Sequence, residues 1–169
     1  MATRLNHSRA LRTIGQELVK RGIDLFELRC LRAEYYLQCG DPEPPHTNLL
    51  KISFAPDEIV SLDLAAAAQR GQSFKWVDFE SMPEILRALG EYVARKDGTL
   101  MRVSHAASLQ PQDHIRFEYE GRDGRTQTEQ LPISAIADKA MRMYKTRLSD
   151  QAKTVETDNR GSPRAKSGR

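Results

Sequence analysis

The chain has 169 residues, of which 39% are hydrophobic and 29% are charged, and its formal net charge is +3. A chain of this length buries roughly two-thirds of its unfolded surface, so we expect it to need no disulfide or metal for stability. Its longest uncharged run falls far short of the roughly 20 apolar residues that span a bilayer, which excludes a transmembrane helix. The presence of only two cysteines and the lack of a secretory signal predict a cytoplasmic protein that contacts no membrane.

The positive charge is concentrated near the two ends of the chain. Residues 139–169 contain nine basic and three acidic residues, and residues 1–40 contain seven basic and four acidic residues. The middle of the chain is therefore acidic overall. We interpret the basic C-terminal segment as a source of nonspecific phosphate contacts or as a solubilising tail.

A short pattern occurs twice in the chain. The segment Leu11–Gln16 recurs 75 positions later as Leu86–Glu91, and the apolar and basic positions that follow stay in register. Each copy places a glycine in mid-helix, Gly15 and Gly90, where glycine costs about 1 kcal/mol relative to alanine. A glycine at such a site lets another backbone approach closely. We infer one supersecondary unit that is duplicated and packed by a shared rule.

Each copy is predicted to consist of a helix, three strands and a second helix, on the basis of helical and alternating apolar periods. In chain order, the first copy has a helix capped by Asn6 or Ser8 and ended by Gly22, strands at 24–31, 35–39 and 50–54, and a helix from Pro56 to Gly71. The second copy has a helix that begins at the capping box Ser81–Glu84, strands at 100–105, 115–120 and 126–131, and a helix from Pro132.

The predicted fold is an α+β protein of two pseudo-symmetric αβββα copies, with an antiparallel sheet covered by helices on one face. The predicted boundaries are 1–72 for the first copy, 73–80 for a connector, 81–148 for the second copy and 149–169 for a disordered basic tail. The connector carries Phe74, Trp76 and Phe79, which predict a seventh strand or a segment that packs the copies together. The tail has no apolar period with which to join a core.

The sequence contains no recognisable catalytic or metal-binding motif. A hairpin turning at residues 32 and 33 places Cys30 opposite Tyr35 and Cys39 opposite Phe26, about 13 Å apart along the strands, which is too far for a disulfide. The four histidines form no metal-binding pair, and the glycines form no phosphate loop. We therefore predict no cofactor and no metal, and we rank a small-molecule enzyme third among the functions.

Helix, three strands, helix is also the element order of the double-stranded RNA-binding domain. Modules of that family hold phosphates with a basic start to the second helix. In this chain Asp57 and Glu58 occupy that position in the first copy, and they would repel phosphate. The residues therefore do not support membership of that family.

Alternation of side chains along the strands predicts a binding surface on the sheet face that points away from the core. The predicted core-facing residues are Phe26, Leu28, Cys30, Ile52, Phe54, Val103, Ile115 and Phe117. The predicted partner-binding residues on the opposite face are Arg29, Tyr36, Lys51, Arg102 and Arg116. Three carboxylates, Glu27, Glu118 and Glu120, share that face, so a mixed surface exposed only to solvent is the competing interpretation.

These residues predict a non-enzymatic binding or adaptor protein that recognises another macromolecule, with a protein as the favoured partner. The alternative is a nucleic-acid-binding protein that uses the same face together with the basic tail.

Overall fold

The computed structural model describes residues 6–43, 45, 47–70, 79–104 and 114–160. The helices in these residues are α1 (His7–Arg21), α2 (Pro56–Arg70), α3 (Met82–Arg95) and α4 (Ile133–Arg160). The strands are β1 (Asp24–Leu31), β2 (Glu34–Gly40), β3 (Leu50–Phe54), β4 (Thr99–Ser104), β5 (His114–Glu120) and β6 (Thr126–Pro132). Two runs of helix, three strands and helix follow each other, as predicted.

The strands form one antiparallel sheet in the order β3-β2-β1-β4-β5-β6. The first strand of each half lies at the centre, and β3 and β6 form the two edges. Leu28, Val103 and Phe117 are fully buried beneath the helices, whereas their neighbours Arg29 and Arg116 are exposed. The predicted α+β class, with helices packed on the antiparallel sheet, is confirmed.

Helix α1 shows how the local sequence sets the element boundaries. The Asn6 side chain accepts a hydrogen bond from the backbone N–H of Ser8 and so caps the first turn. Gly22 ends the helix in the left-handed conformation at φ 66°, which glycine adopts without steric cost. Between these ends Leu11, Ile14 and Leu18 form one apolar stripe that is completely buried.

Matched bulges occur in the two central strands. The register of β1 shifts between Leu25 and Glu27, and the register of β4 shifts between Leu100 and Arg102. The unpaired residues are Phe26 and Met101, which are 75 positions apart. The bulge corrects two predictions, because one extra residue breaks the alternation of side chains. Phe26 is a half-buried bulge residue rather than a regular core-facing one, and Cys39 lies opposite Leu25 instead of Phe26.

The two halves meet around a local two-fold relation. In the pairing of β1 with β4, Leu28 faces Val103, and these positions correspond to each other in the 75-residue repeat. Above the sheet, a Cβ atom on Gly15 would lie 2.7 Å from the Cα of Pro83, and one on Gly90 would lie 2.7 Å from the Cα of Ser8. Ser8 and Pro83 are also 75 positions apart. The two glycines therefore allow the same close backbone contact from both sides, as the repeat predicts.

The last helix extends into the predicted C-terminal tail. Helix α4 continues without a break from Ile133 to Arg160, so residues 149–160 are helical, and residues 161–169 lie outside the described part of the chain. Residues 149–154, the first part of the predicted tail, are exposed throughout. Most of the connector, including Phe74 and Trp76, also lies outside the described residues. Its last aromatic residue, Phe79, packs edge-on against Tyr144 with 5.6 Å between ring centroids.

Candidate binding surfaces

Two rows of side chains cross the sheet on the face opposite the helices, which we call the open face. The first row, from β3 to β6, is Ser53, Tyr36, Arg29, Arg102, Glu118 and Thr128. The second row is Lys51, Gln38, Glu27, Ser104, Arg116 and Gln130. All five predicted binding residues therefore lie on one face, and their role in binding stays a prediction.

Glu27 partly neutralises the centre of the open face. Its carboxylate accepts a hydrogen bond from Arg29 Nε at 2.5 Å and lies 2.7 Å from Arg102 Nε. Burial by itself raises the pKa of Glu27, but the two guanidinium groups outweigh burial and hold the pKa below its ordinary value. In contrast, Lys51 and Arg116 have no ion-pair partner among the described residues. The open face is thus balanced in charge at its centre and basic on either side.

A depression of about 370 Å³ lies on the half of the open face formed by β1, β2 and β3. Leu31 and Tyr36 project into it with 55% and 43% of their surface exposed, and Arg29 and Lys51 complete its wall. The Tyr36 hydroxyl donates a 2.5 Å hydrogen bond to Glu34, which raises the pKa of the phenol and fixes the ring direction. Three of the five predicted residues therefore surround this depression.

The other two predicted residues lie outside the depression. Arg102 is on the adjacent strand β4 and is connected to the depression through Glu27. Arg116 is one strand further, on β5, opposite Ser104. The sequence places all five on the correct face, but the structure brings only part of the set together.

A second surface, which sequence reasoning missed, is the groove between α3 and α4. It encloses about 380 Å³, and we call it the α3–α4 groove. Its apolar lining consists of Ala88, Leu89, Tyr92, Leu131, Ala135, Ile136 and Met143. The cations Arg95, Lys139 and Arg142 line it as well. Its lining residues on α3 and on α4 are 40 to 58 positions apart in the sequence, so only the packing of the two helices brings them together.

Lys139 lies over the apolar lining of this groove. Its Nζ is 4.0 Å from the centroid of the Tyr92 ring, a cation–π contact. Burial lowers the pKa of Lys139, the nearby charges of Arg95, Lys96 and Arg142 lower it further, and the charge of Glu91 opposes the shift. Cations outnumber carboxylates around Lys139, which favours a negatively charged group at this position.

A hydrogen-bond network around Glu129 holds the Tyr92 ring in place. The carboxylate accepts 2.6 Å hydrogen bonds from the hydroxyls of Tyr92 and Tyr119, and it forms an ion pair with Lys96. Burial opposes ionisation, but the bonds from Lys96, Tyr119 and Tyr92 prevail and lower the pKa of Glu129 to about 2. Lys96 is thus neutralised by Glu129, whereas the three groove cations have no ion-pair partner among the described residues.

Two charged side chains of α3 are unexpectedly buried. The predicted capping box does not form, because the Ser81 side chain makes no capping hydrogen bond and Glu84 turns towards two arginines. Arg12 Nε lies 3.0 Å from Glu84 Oε1, and Arg87 Nη2 lies 2.6 Å from Glu84 Oε2. Burial lowers the pKa of Arg87, and its proximity to Glu84 opposes that shift. These charges connect α1 to α3.

No three His, Cys, Asp or Glu side chains in the described ranges converge as a metal site would require. Cys30 lies opposite Tyr35, as predicted, and both cysteines are buried free thiols. Within the same ranges, no helix combines the length and apolar character needed to cross a membrane. No known protein family matches this sequence, and neither a characterised protein nor a solved structure shows significant similarity to it.

Proposed function

We propose that this chain is a non-enzymatic binding or adaptor protein that recognises another protein through the open face of its sheet. The observation that carries the proposal is the depression in which Tyr36 lies directly across from Arg29. Tyrosine and arginine are the residue types that most often supply the binding energy of protein interfaces. Leu31 adds an exposed aliphatic group beside them.

The charge pattern favours a protein partner over a nucleic acid. Glu27 holds two of the four cations of the face, and Glu118 lies 4.0 Å from Arg102. A phosphate backbone would be repelled by these carboxylates, whereas a protein with mixed charges can match both signs. The exposed cations Lys51 and Arg116 support the nucleic-acid alternative, which would require the partner to contact the flanks of the face.

We further propose that the two halves descend from one duplicated unit and that the protein works in the cytoplasm. The common offset of 75 residues between the glycines, their contact residues and the bulges supports duplication. Two free thiols in the core fit a reducing compartment.

The open face can be tested by affinity capture from a lysate of the source cells, with and without nuclease. Tyr36→Ala is expected to weaken retention of the partner at least about tenfold, more than any single change of a cation to serine. The matched control is Lys20→Ser, an exposed cation on α1 on the helical side of the sheet.

A second variant changes all four cations, Arg29, Lys51, Arg102 and Arg116, to serine. Exposed charges usually contribute within about 0.5 kcal/mol each, so the variant should fold while its binding weakens. Unchanged binding in both this variant and Tyr36→Ala would reject the open face. Loss of capture after nuclease treatment, with a salt slope that falls in the quadruple variant, would instead establish the nucleic-acid alternative.

A further inference from the structure

The α3–α4 groove combines an apolar lining with a one-sided set of charges. Leu89, Ile136 and Met143 are buried side chains on its walls, and Ala88 and Ala135 leave space between the helices because their side chains are small. Arg95 and Arg142 are exposed at the groove, and Lys139 is half-buried over Tyr92. The surface is therefore amphipathic, with an excess of positive charge.

The nearby carboxylates are already engaged elsewhere. Glu91 pairs with Arg147, and Glu129 pairs with Lys96 and two tyrosine hydroxyls. No described carboxylate forms an ion pair with Arg95, Lys139 or Arg142. Three cations that form no ion pair with a described carboxylate lie close to one apolar cavity, which favours an anion that brings its own apolar group.

We propose that the α3–α4 groove binds a single-chain amphiphile with a carboxylate head, such as a medium-chain fatty acid. The alkyl chain lies along the apolar wall formed by Leu89, Ile136 and Met143, and the carboxylate is bound by Lys139 and Arg142. This inference is independent of the function proposed for the open face, because the groove lies on the helical side of the sheet.

The dimensions of the groove favour a small amphiphile over a peptide helix. Its volume of about 380 Å³ lies near the lower end of the roughly 300–1,000 Å³ that small-ligand sites occupy. The residues of α4 that line it run from Ala135 to Thr146, a length of about 16 Å at 1.5 Å per residue. At about 1.2 Å per bond along an extended chain, the nine carbon–carbon bonds of a ten-carbon fatty acid span about 11 Å, which fits within that length.

The test is an NMR-detected titration of the full chain with decanoate, kept below the concentration at which micelles form. We expect saturable shifts of amides in α3 and α4, with 1-decanol binding at least about tenfold more weakly and acetate giving no saturation. Equal affinity for decanoate and 1-decanol would overturn the proposal, since the carboxylate would then not be recognised. Absence of saturation by decanoate at millimolar concentration would overturn it as well.

Two pairs of variants locate the site. Ala135→Phe fills the groove from an exposed position and should abolish decanoate binding, whereas Ser134→Phe adds the same side chain at the neighbouring exposed position and should leave it unchanged. The double change of Lys139 and Arg142 to glutamine should weaken decanoate at least about tenfold, whereas Lys145→Gln should have no effect. Melting temperatures of the four variants establish that each is folded.

A flotation assay with anionic phospholipid vesicles separates a free amphiphile from a membrane surface. The proposal predicts that the vesicles do not retain the protein when free decanoate binds. The proposal would be overturned if Ala135→Phe changed neither retention of the protein on vesicles nor its affinity for decanoate. The result would then indicate a membrane-binding surface outside the groove.

Discussion

The two halves of the molecule share their central contacts but differ at the outer helix of each half. In the first half, Asp63 of α2 is buried against α1, where it pairs with Arg9 and accepts a 3.3 Å hydrogen bond from Thr13. In the second half, Ala88 occupies the position 75 residues after Thr13, and it lines the α3–α4 groove. The same place in the fold is thus a closed polar contact in one half and an open apolar groove in the other.

The difference follows from where each contact lies relative to the local two-fold relation. Gly15 and Gly90 form the same close contact twice, so a change at either one disturbs the junction of the halves. The contacts of α1 with α2 and of α3 with α4 lie away from this relation, so a change in one of them does not disturb the other. The central contacts are therefore alike in the two halves, while the outer contacts differ.

The largest expected effect is on the shared contact. Gly15→Leu and Gly90→Leu should each destabilise the fold by about 3 kcal/mol or more, because the added carbon would lie 2.7 Å from a backbone atom of the other helix. Helix propensity alone predicts a gain of stability, and Lys20→Leu on the exposed surface of α1 is the matched control. Urea denaturation measures the change. A higher melting temperature in either glycine variant, or a loss in only one, would break the equivalence of the halves.

A smaller effect is expected from the contact found only in the first half. Asp63→Ala should lower the free energy of unfolding by roughly 1 to 3 kcal/mol, because Arg9 loses its ion-pair partner and the Thr13 hydroxyl keeps only the Arg9 carbonyl as acceptor. Arg9 remains largely exposed, so the loss stays below that of a fully buried pair. Denaturation of Asp138→Ala, an exposed carboxylate on α4, is the control and should differ from the parent by no more than about 0.5 kcal/mol.

The Glu129 network belongs to the second half alone and predicts a pH dependence. The folded pKa of about 2 lies below the ordinary 4.5, so the stabilisation is fully present above pH 4.5 and is lost as the pH falls towards 2. Glu129→Gln should cost about 1 kcal/mol at pH 7 and should flatten the acid branch of the stability curve. Thermal melts from pH 7 to 2 measure both effects. Glu120→Gln is the reference variant. If Glu129→Gln loses stability in acid as the parent does, another carboxylate controls the acid branch.

The smallest effect is expected from the extra length of α4. Removal of residues 149–169 should leave the melting temperature unchanged, because residues 149–154 are exposed and the truncation keeps the ion pair of Arg147 with Glu91. Calorimetry of the truncated chain measures this. A loss of several degrees would show that the end of α4 is docked, and the second half would then differ from the first in its core as well.

Most of the fold can be predicted from the spacing of apolar residues within short segments of the sequence. The helices and strands are bounded by residues that the sequence identifies, namely Gly22, the turn at Arg32 and Ala33, and Pro56. The φ values of 53° and 69° at the two turn residues agree with a tight hairpin. The alternation in β1 to β5 identifies the open face and its five predicted residues. These features depend on residues that are close together in the sequence, which is why the sequence alone predicts them.

The missed features depend on contacts between distant segments. Neither the bulge at Phe26 nor the corresponding bulge at Met101 contains a glycine or proline that would indicate it in the sequence. In the structure Glu84 pairs with Arg12 of α1 and with Arg87, so an ion-pair network is present where a cap was expected. On α4, Met143 is buried and lines the groove, whereas Met141 is exposed, a difference that depends on how α4 packs against α3.

The pairing of β1 with β4 also governs how the chain acquires its structure. Leu28 and Val103 are neighbours across the sheet although 75 positions separate them, so their contact closes a long loop before it yields any burial. Neither half can cover the stripe of α1 or α3 by itself, since each helix completes the other's contact through Gly15 and Gly90. Such a high contact order slows folding and couples the halves into one cooperative transition, during which the exposed central strands are the segments most prone to mispairing.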